Sequence, residues 1–148
     1  MEHSIVTPNL MVEDVAATAR FYIDILGFDL VVAIADMHKG MAEGNVIMQL
    51  SDGLTLDWAN VKGEGAEFMF QSRSSLETEL PVMKGMSIGA SQTLYIRRDN
   101  IDEQYEMLRK KVEVIQEPID KFYGMREWYL RDNNGYVLCF GQPAIQPG

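Results

Sequence analysis

The sequence predicts an α+β fold built from two tandem βαβββ modules, and three observations predict it. An amphipathic helical stripe occurs twice: Val15, Ala19, Tyr22 and Leu26 are spaced 4, 3 and 4, and Ile101, Tyr105, Leu108 and Val112 repeat that spacing 86 residues later. An extended stretch precedes each stripe, Val6 to Val12 and Gln92 to Arg98, at the same offset of 86. Asp52-Gly53 and Asn134-Gly135, pairs that favour tight hairpin turns, each lead into a strand-like run at an offset of 82.

Along the chain, the first strand has Pro8, Leu10 and Val12 as its apolar set. Asp14 is placed to cap the first helix, and Gly27 sits where a helix C-terminal glycine is expected. An apolar run from Leu30 to Ala35, a third strand, and a closing strand from Leu54 to Trp58 complete module one, residues 1–60. Residues 61–90, rich in Gly and polar types with Pro81 inside, read as a connection with a short ordered piece around Glu67 to Gln71. Module two, residues 91–148, repeats the order, with Asn100 as helix cap and Tyr136 to Phe140 as closing strand. The whole chain, 1–148, is expected to be a single domain.

Composition fits that size. With 148 residues, 47% hydrophobic and 24% charged, the chain suits an ordinary soluble domain and not a disordered, collagen-like or membrane-spanning one. Thirteen basic and 22 acidic residues give a net charge of -9, which disfavours nucleic acid and anionic membrane partners. The acidity is concentrated in the first half. One cysteine, Cys139, excludes an intrachain disulfide framework and a Cys-rich zinc site. Met1-Glu2-His3-Ser4 lacks the basic and apolar regions of a secretory signal, and no apolar run approaches the ~20 residues of a membrane helix, so a cytoplasmic location is expected.

Thr7-Pro8-Asn9-Leu10 to Asp14, Phe21-Tyr22, Leu26-Gly27-Phe28, Gly124-Met125-Arg126-Glu127 and Asp132-Asn133-Asn134-Gly135 together resemble the vicinal-oxygen-chelate superfamily. That superfamily includes glyoxalase I, extradiol dioxygenases, fosfomycin resistance enzymes and bleomycin resistance proteins. The resemblance spans both halves apart from the connection. It implies a curved, cupped mixed sheet with helices on the outer face and a cavity within. Strand alternation then sends Thr7, Asn9 and Met11, with Thr93, Tyr95 and Arg97, into the cup. On the closing strands Thr55, Asp57, Val137 and Cys139 point inward, while Trp58 backs the first helix. Hairpin pairing across even loops adds Val46 and Met48 beside Asp57, and Trp128 and Leu130 beside Cys139. An odd loop or a bulge reverses that assignment.

The resemblance also implies where metal enzymes of the superfamily hold their ion: near the start of the first strand of each module and on the last strand of each. Carried over, these positions are Thr7, Asp57, Thr93 and Cys139, a set unlike the His and carboxylate groups that hold a divalent ion. Of the two histidines, His3 lies four residues before Thr7, about 13 Å along a strand at about 3.3 Å per residue, and His38 falls near a hairpin where solvent is expected. Gly85-Met86-Ser87-Ile88-Gly89 matches a nucleophile-elbow pattern but no histidine follows it, and Gly63-Glu64-Gly65 lacks the Lys-Ser/Thr pair of a phosphate loop. Arg109-Lys110-Lys111 complements the dipole at a helix C-terminus.

The expectation is a metal-free, cofactor-free binding protein of the bleomycin-resistance kind, a homodimer without catalytic residues, taking a cationic aromatic ligand. Its ligand-binding set is Thr7, Asn9, Met11, Met48, Asp57, Thr93, Tyr95, Arg97, Trp128 and Cys139, with Asp57 anchoring the positive group and Trp128 stacking on the flat portion. The alternatives are a metal-dependent lyase, isomerase or dioxygenase with displaced ligands from Glu43, Glu127 or Gln49 if strand parity is off by one, and a regulatory or structural subunit without a small ligand.

Overall fold

A computed structural model describes residues 5–144, so His3 lies outside the described residues. The chain forms two compact units, Met1–Met86 and Ser87–Gly148, each organised around its own sheet. The first unit contains β1 (Asn9–Val12), α1 (Val15–Arg20), a π-helical turn (Phe21–Ile25), β2 (Asp29–Ile34), β3 (Val46–Ile47), β4 (Trp58–Gly63), β5 (Ala66–Ser72), α2 (Arg73–Glu79) and a 3-10 turn (Pro81–Met83). Its sheet order is β1-β5-β4-β2-β3, with β1 and β5 parallel and the other pairs antiparallel. The second unit contains β6 (Thr93–Arg97), α3 (Ile101–Leu108), β7 (Glu113–Asp120), β8 (Met125–Arg131) and β9 (Val137–Pro143), in the order β6-β9-β8-β7 with β6 and β9 parallel. Each unit is therefore a βαβββ module, with two-residue β3 added at one edge of the first.

Helix α1 starts where expected because the Asp14 carboxylate accepts the Ala17 N–H at 2.9 Å. Gly27 takes φ 81°, a left-handed conformation open to glycine, and ends the helical segment. Asn100 departs from expectation: it adopts φ 58° and its side chain caps nothing. The first N–H of α3 is satisfied instead by Gln142 Oε1 at 2.9 Å, from the end of β9.

Alternation builds each core. Phe68 and Phe70, two apart on β5, face α1 and meet Tyr22 at ring distances of 5.7 and 4.8 Å, with Phe28 completing the cluster. In the second unit Trp128 stacks on Phe140 at 5.7 Å and takes Tyr105 of α3 edge-on at 5.4 Å, among buried Ile96, Ile101, Leu130 and Leu138.

The closing strands of module one differ from the sequence expectation. Residues 48–57 are irregular, Asp52-Gly53 turns without flanking strands, and the hairpin lies at Glu64-Gly65, where Gly65 has φ 70°. Strands β4 and β5 thus run through residues assigned to the connection, and β5 contains the ordered piece foreseen at Glu67 to Gln71. The reason is packing: Ala59, Val61, Phe68 and Phe70 supply a buried face opposite α1 that Leu54 to Trp58 is too short to provide. The long segment from β2 to β4 is held by Asn45, whose side-chain amide accepts the Asp36 N–H at 2.8 Å and donates to the Asp36 and Gly40 carbonyls at 2.9 and 2.7 Å. Among the described residues no helix is long and apolar enough to cross a membrane.

Candidate functional site

Each sheet has one face against its first helix and a second face turned away from it, and the register assigns side chains to the latter. In the first unit Asn9 pairs with Met69, Met11 with Gln71, and across β4 Asn60 pairs with Met69 and Trp58 with Gln71. All six, Asn9 and Met11 among them, share the face turned away from α1. A polar chain runs through it: Asn9 Nδ2 donates to Gln71 Oε1 at 2.9 Å, and Gln71 Nε2 donates to Ser75 Oγ at 3.0 Å and Glu79 Oε2 at 2.9 Å. Beside it Asn60 Nδ2 donates to Glu67 Oε1 at 3.0 Å, while Asn60 Oδ1 is buried without a partner.

Three expected positions fall elsewhere. Asp57 precedes β4, and its carboxylate accepts the Met37 N–H at 2.9 Å and the Ser72 hydroxyl at 3.1 Å, so it ties the long β2–β4 segment to the end of β5. Met48 lies beyond β3, exposed in a groove with Arg20, Asp24 and Asp29 on the α1 side, because β4 pairs with β2 and β5 instead of with β3. Trp58, assigned to the core from sequence, is half-buried on the face turned away from α1. Glu43, Gln49 and His38 are exposed in the loops of this unit.

In the second unit Thr93 pairs with Val137, Tyr95 with Cys139 and Arg97 with Gly141, so these expected residues do share one face. Trp128 does not join them. Arg131 pairs with Val137, leaving an odd loop, 132–136, in which the Asp132 carboxylate accepts the N–H groups of Asn134 and Tyr136 at 2.8 and 2.9 Å. The odd loop reverses the parity: Trp128 turns to α3 and is 0% exposed, and Glu127 and Tyr129 take its place beside Tyr95 and Cys139.

Glu127 is 0% exposed and is surrounded by tyrosine hydroxyls. Tyr95 donates to Oε1 at 2.9 Å, Tyr123 to Oε1 and Oε2 at 2.8 and 2.7 Å, and Tyr129 to Oε2 at 3.2 Å. Burial, then the bond to Glu127, pushes Tyr95 up to about 12. For Tyr123 the bond to Glu127 is the larger cause of a rise to about 12. Burial pushes the Cys139 thiol up to about 11, so it is protonated at neutral pH and unsuited to act as a nucleophile. Lys121 Nζ donates to Gln116 Oε1 at 3.1 Å and sits 5.7 Å from the centre of the Tyr129 ring. From sequence, Glu127 was visible only as the product of shifted parity; Tyr123 and Tyr129 carried no signal, because hairpin register had to be known first.

The family model for the Glyoxalase/Bleomycin resistance protein/Dioxygenase superfamily matches residues 4–140. No curated protein matches the chain. Among solved structures, TioX from Micromonospora sp. ML1 superposes with a TM-score of 0.67 at 17% identity, covering 95% of this chain and 99% of that one. A glyoxalase/bleomycin resistance protein/dioxygenase from Nocardioides gives 0.67 at 19% identity, covering 100% and 90%. The bleomycin-binding protein of Streptomyces verticillus, complexed with copper(II)-bleomycin, gives 0.58 at 18% identity, covering 99% of each chain. At such identities the likeness concerns the fold.

Proposed function

We propose that this chain, which belongs to the glyoxalase/bleomycin resistance protein/dioxygenase superfamily, binds a cationic amphipathic small molecule and performs no metal-dependent chemistry on it. The observation that carries this reading is the donor set at the superfamily's metal positions. In the second unit Thr93 faces Val137 across β6 and β9. In the first, the last strand is β5, and continuing the Asn9–Met69 register by two residues brings Glu67 beside Thr7. The set becomes Thr7, Glu67, Thr93 and Val137 in place of the one carried over with Asp57 and Cys139. One carboxylate, two neutral hydroxyls and an alkyl group do not fit a divalent ion, which calls for three or four imidazole, thiolate or carboxylate donors.

The surrounding chemistry favours an organic guest. Trp58 and Met69, both half-buried, give the first unit's face apolar and aromatic surface, with Met11 buried beneath it, and the orphaned Asn60 Oδ1 is satisfied when a ligand N–H enters. A net charge of -9 draws cations to the chain. The bleomycin-binding relative suggests a role in stoichiometric capture of a drug-like cation. We include a homodimer in the proposal, because both sheets leave unpaired edge strands that a two-fold contact covers.

Thermal melts of the full chain test this reading. Bleomycin or an aromatic amine is expected to raise the melting temperature, by mass action worth about 2.7 kcal/mol at a hundredfold excess over Kd. Zn, Ni, Mn and Fe are expected to leave it unchanged, and one tightly held metal per chain by elemental analysis overturns the proposal.

A further inference from the structure

The second unit buries a carboxylate without a cation to balance it. Among the described residues no Lys, Arg or His forms an ion pair with Glu127: Arg126, its neighbour, is committed to Asp102 and Asp120 at 2.9 and 3.0 Å, and Lys121 is held by Gln116 and the Tyr129 ring. Removing a carboxylate from water is costly unless its oxygens are satisfied, and here three phenols satisfy them. Each phenol has one hydrogen; Tyr95 and Tyr123 give theirs to Glu127, and Tyr129 has both Glu127 and Cys139 as partners for its own. What remains for an incoming group is acceptor lone pairs and the π faces of rings polarised by a negative charge behind them.

The arrangement depends on a glycine. Tyr95 reaches Glu127 by lying across Gly141 of β9, and a Cβ on Gly141 would fall 2.8 Å from Tyr95 Cζ, inside any normal contact. Glycine inside a strand weakens it, and one of its uses is to admit a close neighbour. Tyr95 and Tyr123 remain 47% and 53% exposed, so the cluster opens to solvent through two rings while its charge stays buried. Lys121 over Tyr129 is an internal example of a cation seated on one of these rings.

We propose that Glu127, Tyr95, Tyr123 and Tyr129 form a recognition site for an organic cation bearing N–H groups, an alkylammonium or amidinium, that enters over the exposed edges of Tyr95 and Tyr123. The site rests on the binding-protein reading and specifies which part of the ligand it takes. The two exposed phenols, Tyr95 and Tyr123, turn their hydrogens to Glu127 and so present acceptors to an entering group, which favours a cation at this cluster. Gly141 is a positioning residue: it contributes no contact to the ligand but leaves room for Tyr95.

Calorimetric titration of the full chain with benzamidinium, benzamide and benzoate tests the site, with near-ultraviolet circular dichroism checking the fold of each variant. Benzamidinium is expected to bind at least roughly tenfold tighter than neutral benzamide, with benzoate weakest. Glu127→Gln is expected to remove that preference, and Tyr95→Phe and Gly141→Ala to weaken benzamidinium severalfold while leaving benzamide unchanged. If Glu127→Gln unfolds, Tyr95→Phe combined with Tyr123→Phe, which keeps the carboxylate and both rings, carries the test. Equal benzamidinium affinity in wild type and the folded variants overturns the site, as does a preference for benzoate. If bleomycin still shifts the melt in that case, the binding-protein reading survives; if neither cation binds, both fall.

Discussion

At the scale of single residues, the tyrosine cluster ties stability to alkaline pH. Tyr95 and Tyr123 hold their protons to about 12 in the fold, above the usual value near 10. A group whose folded pKa is raised contributes stability that is complete below its unfolded pKa and is lost as pH rises through the folded one. The melting temperature is therefore expected to fall between pH 10 and about 12 with a concurrent rise in phenolate absorbance, and the Tyr95→Phe, Tyr123→Phe double variant is expected to flatten that fall. Cys139, 1% exposed and with its thiol raised to about 11, is expected to resist iodoacetamide at pH 8 until the protein is denatured. Trp128 is the largest fully buried side chain, and Trp128→Ala is expected to cost about 3–5 kcal/mol in chemical denaturation through the cavity left between Tyr105 and Phe140.

At the scale of elements, caps and hairpin loops decide what each strand presents. Helix α1 is six residues long and leans on Asp14 at its start, so Asp14→Ala is expected to cost about 1 kcal/mol, measurable as a lower denaturation midpoint. The two tryptophans show how much rests on loops. Placing the first hairpin at Asp52-Gly53 instead of Glu64-Gly65 buries Trp58 and turns Asp57 inward; an even second loop turns Trp128 outward. The structure exchanges their roles, because strand side chains alternate and a shift of one residue moves every one of them to the other face. A strand such as β6 is immune to this error, since Ile96 at 4% exposure and Tyr95 at 47% follow directly from its own alternation.

At the scale of the whole molecule, two units with separate cores leave β1 and β3 at the edges of one sheet and β6 and β7 at the edges of the other. Unpaired edges invite association unless they are covered, and the proposed homodimer covers them. Sedimentation at micromolar concentration is expected to give twice the 16.8 kDa chain mass; a monomer there counts against shared binding surfaces. The proposed ligand belongs to this scale as well, for a net charge of -9 steers cations from a distance before any local contact forms.

The sequence by itself determined the repeat, the βαβββ order, the Asp14 cap, the Gly27 stop and the core stripes of α1 and α3, because each is written in residues a few positions apart whose spacing matches one local geometry. Only the tertiary structure decided that Trp128 turns to the core, that Asp57 braces a loop, and that three tyrosines converge on Glu127. Those facts depend on register between strands distant in the chain, and register follows from which hairpin buries the better face, an energy summed over the whole sheet and legible in no single stretch.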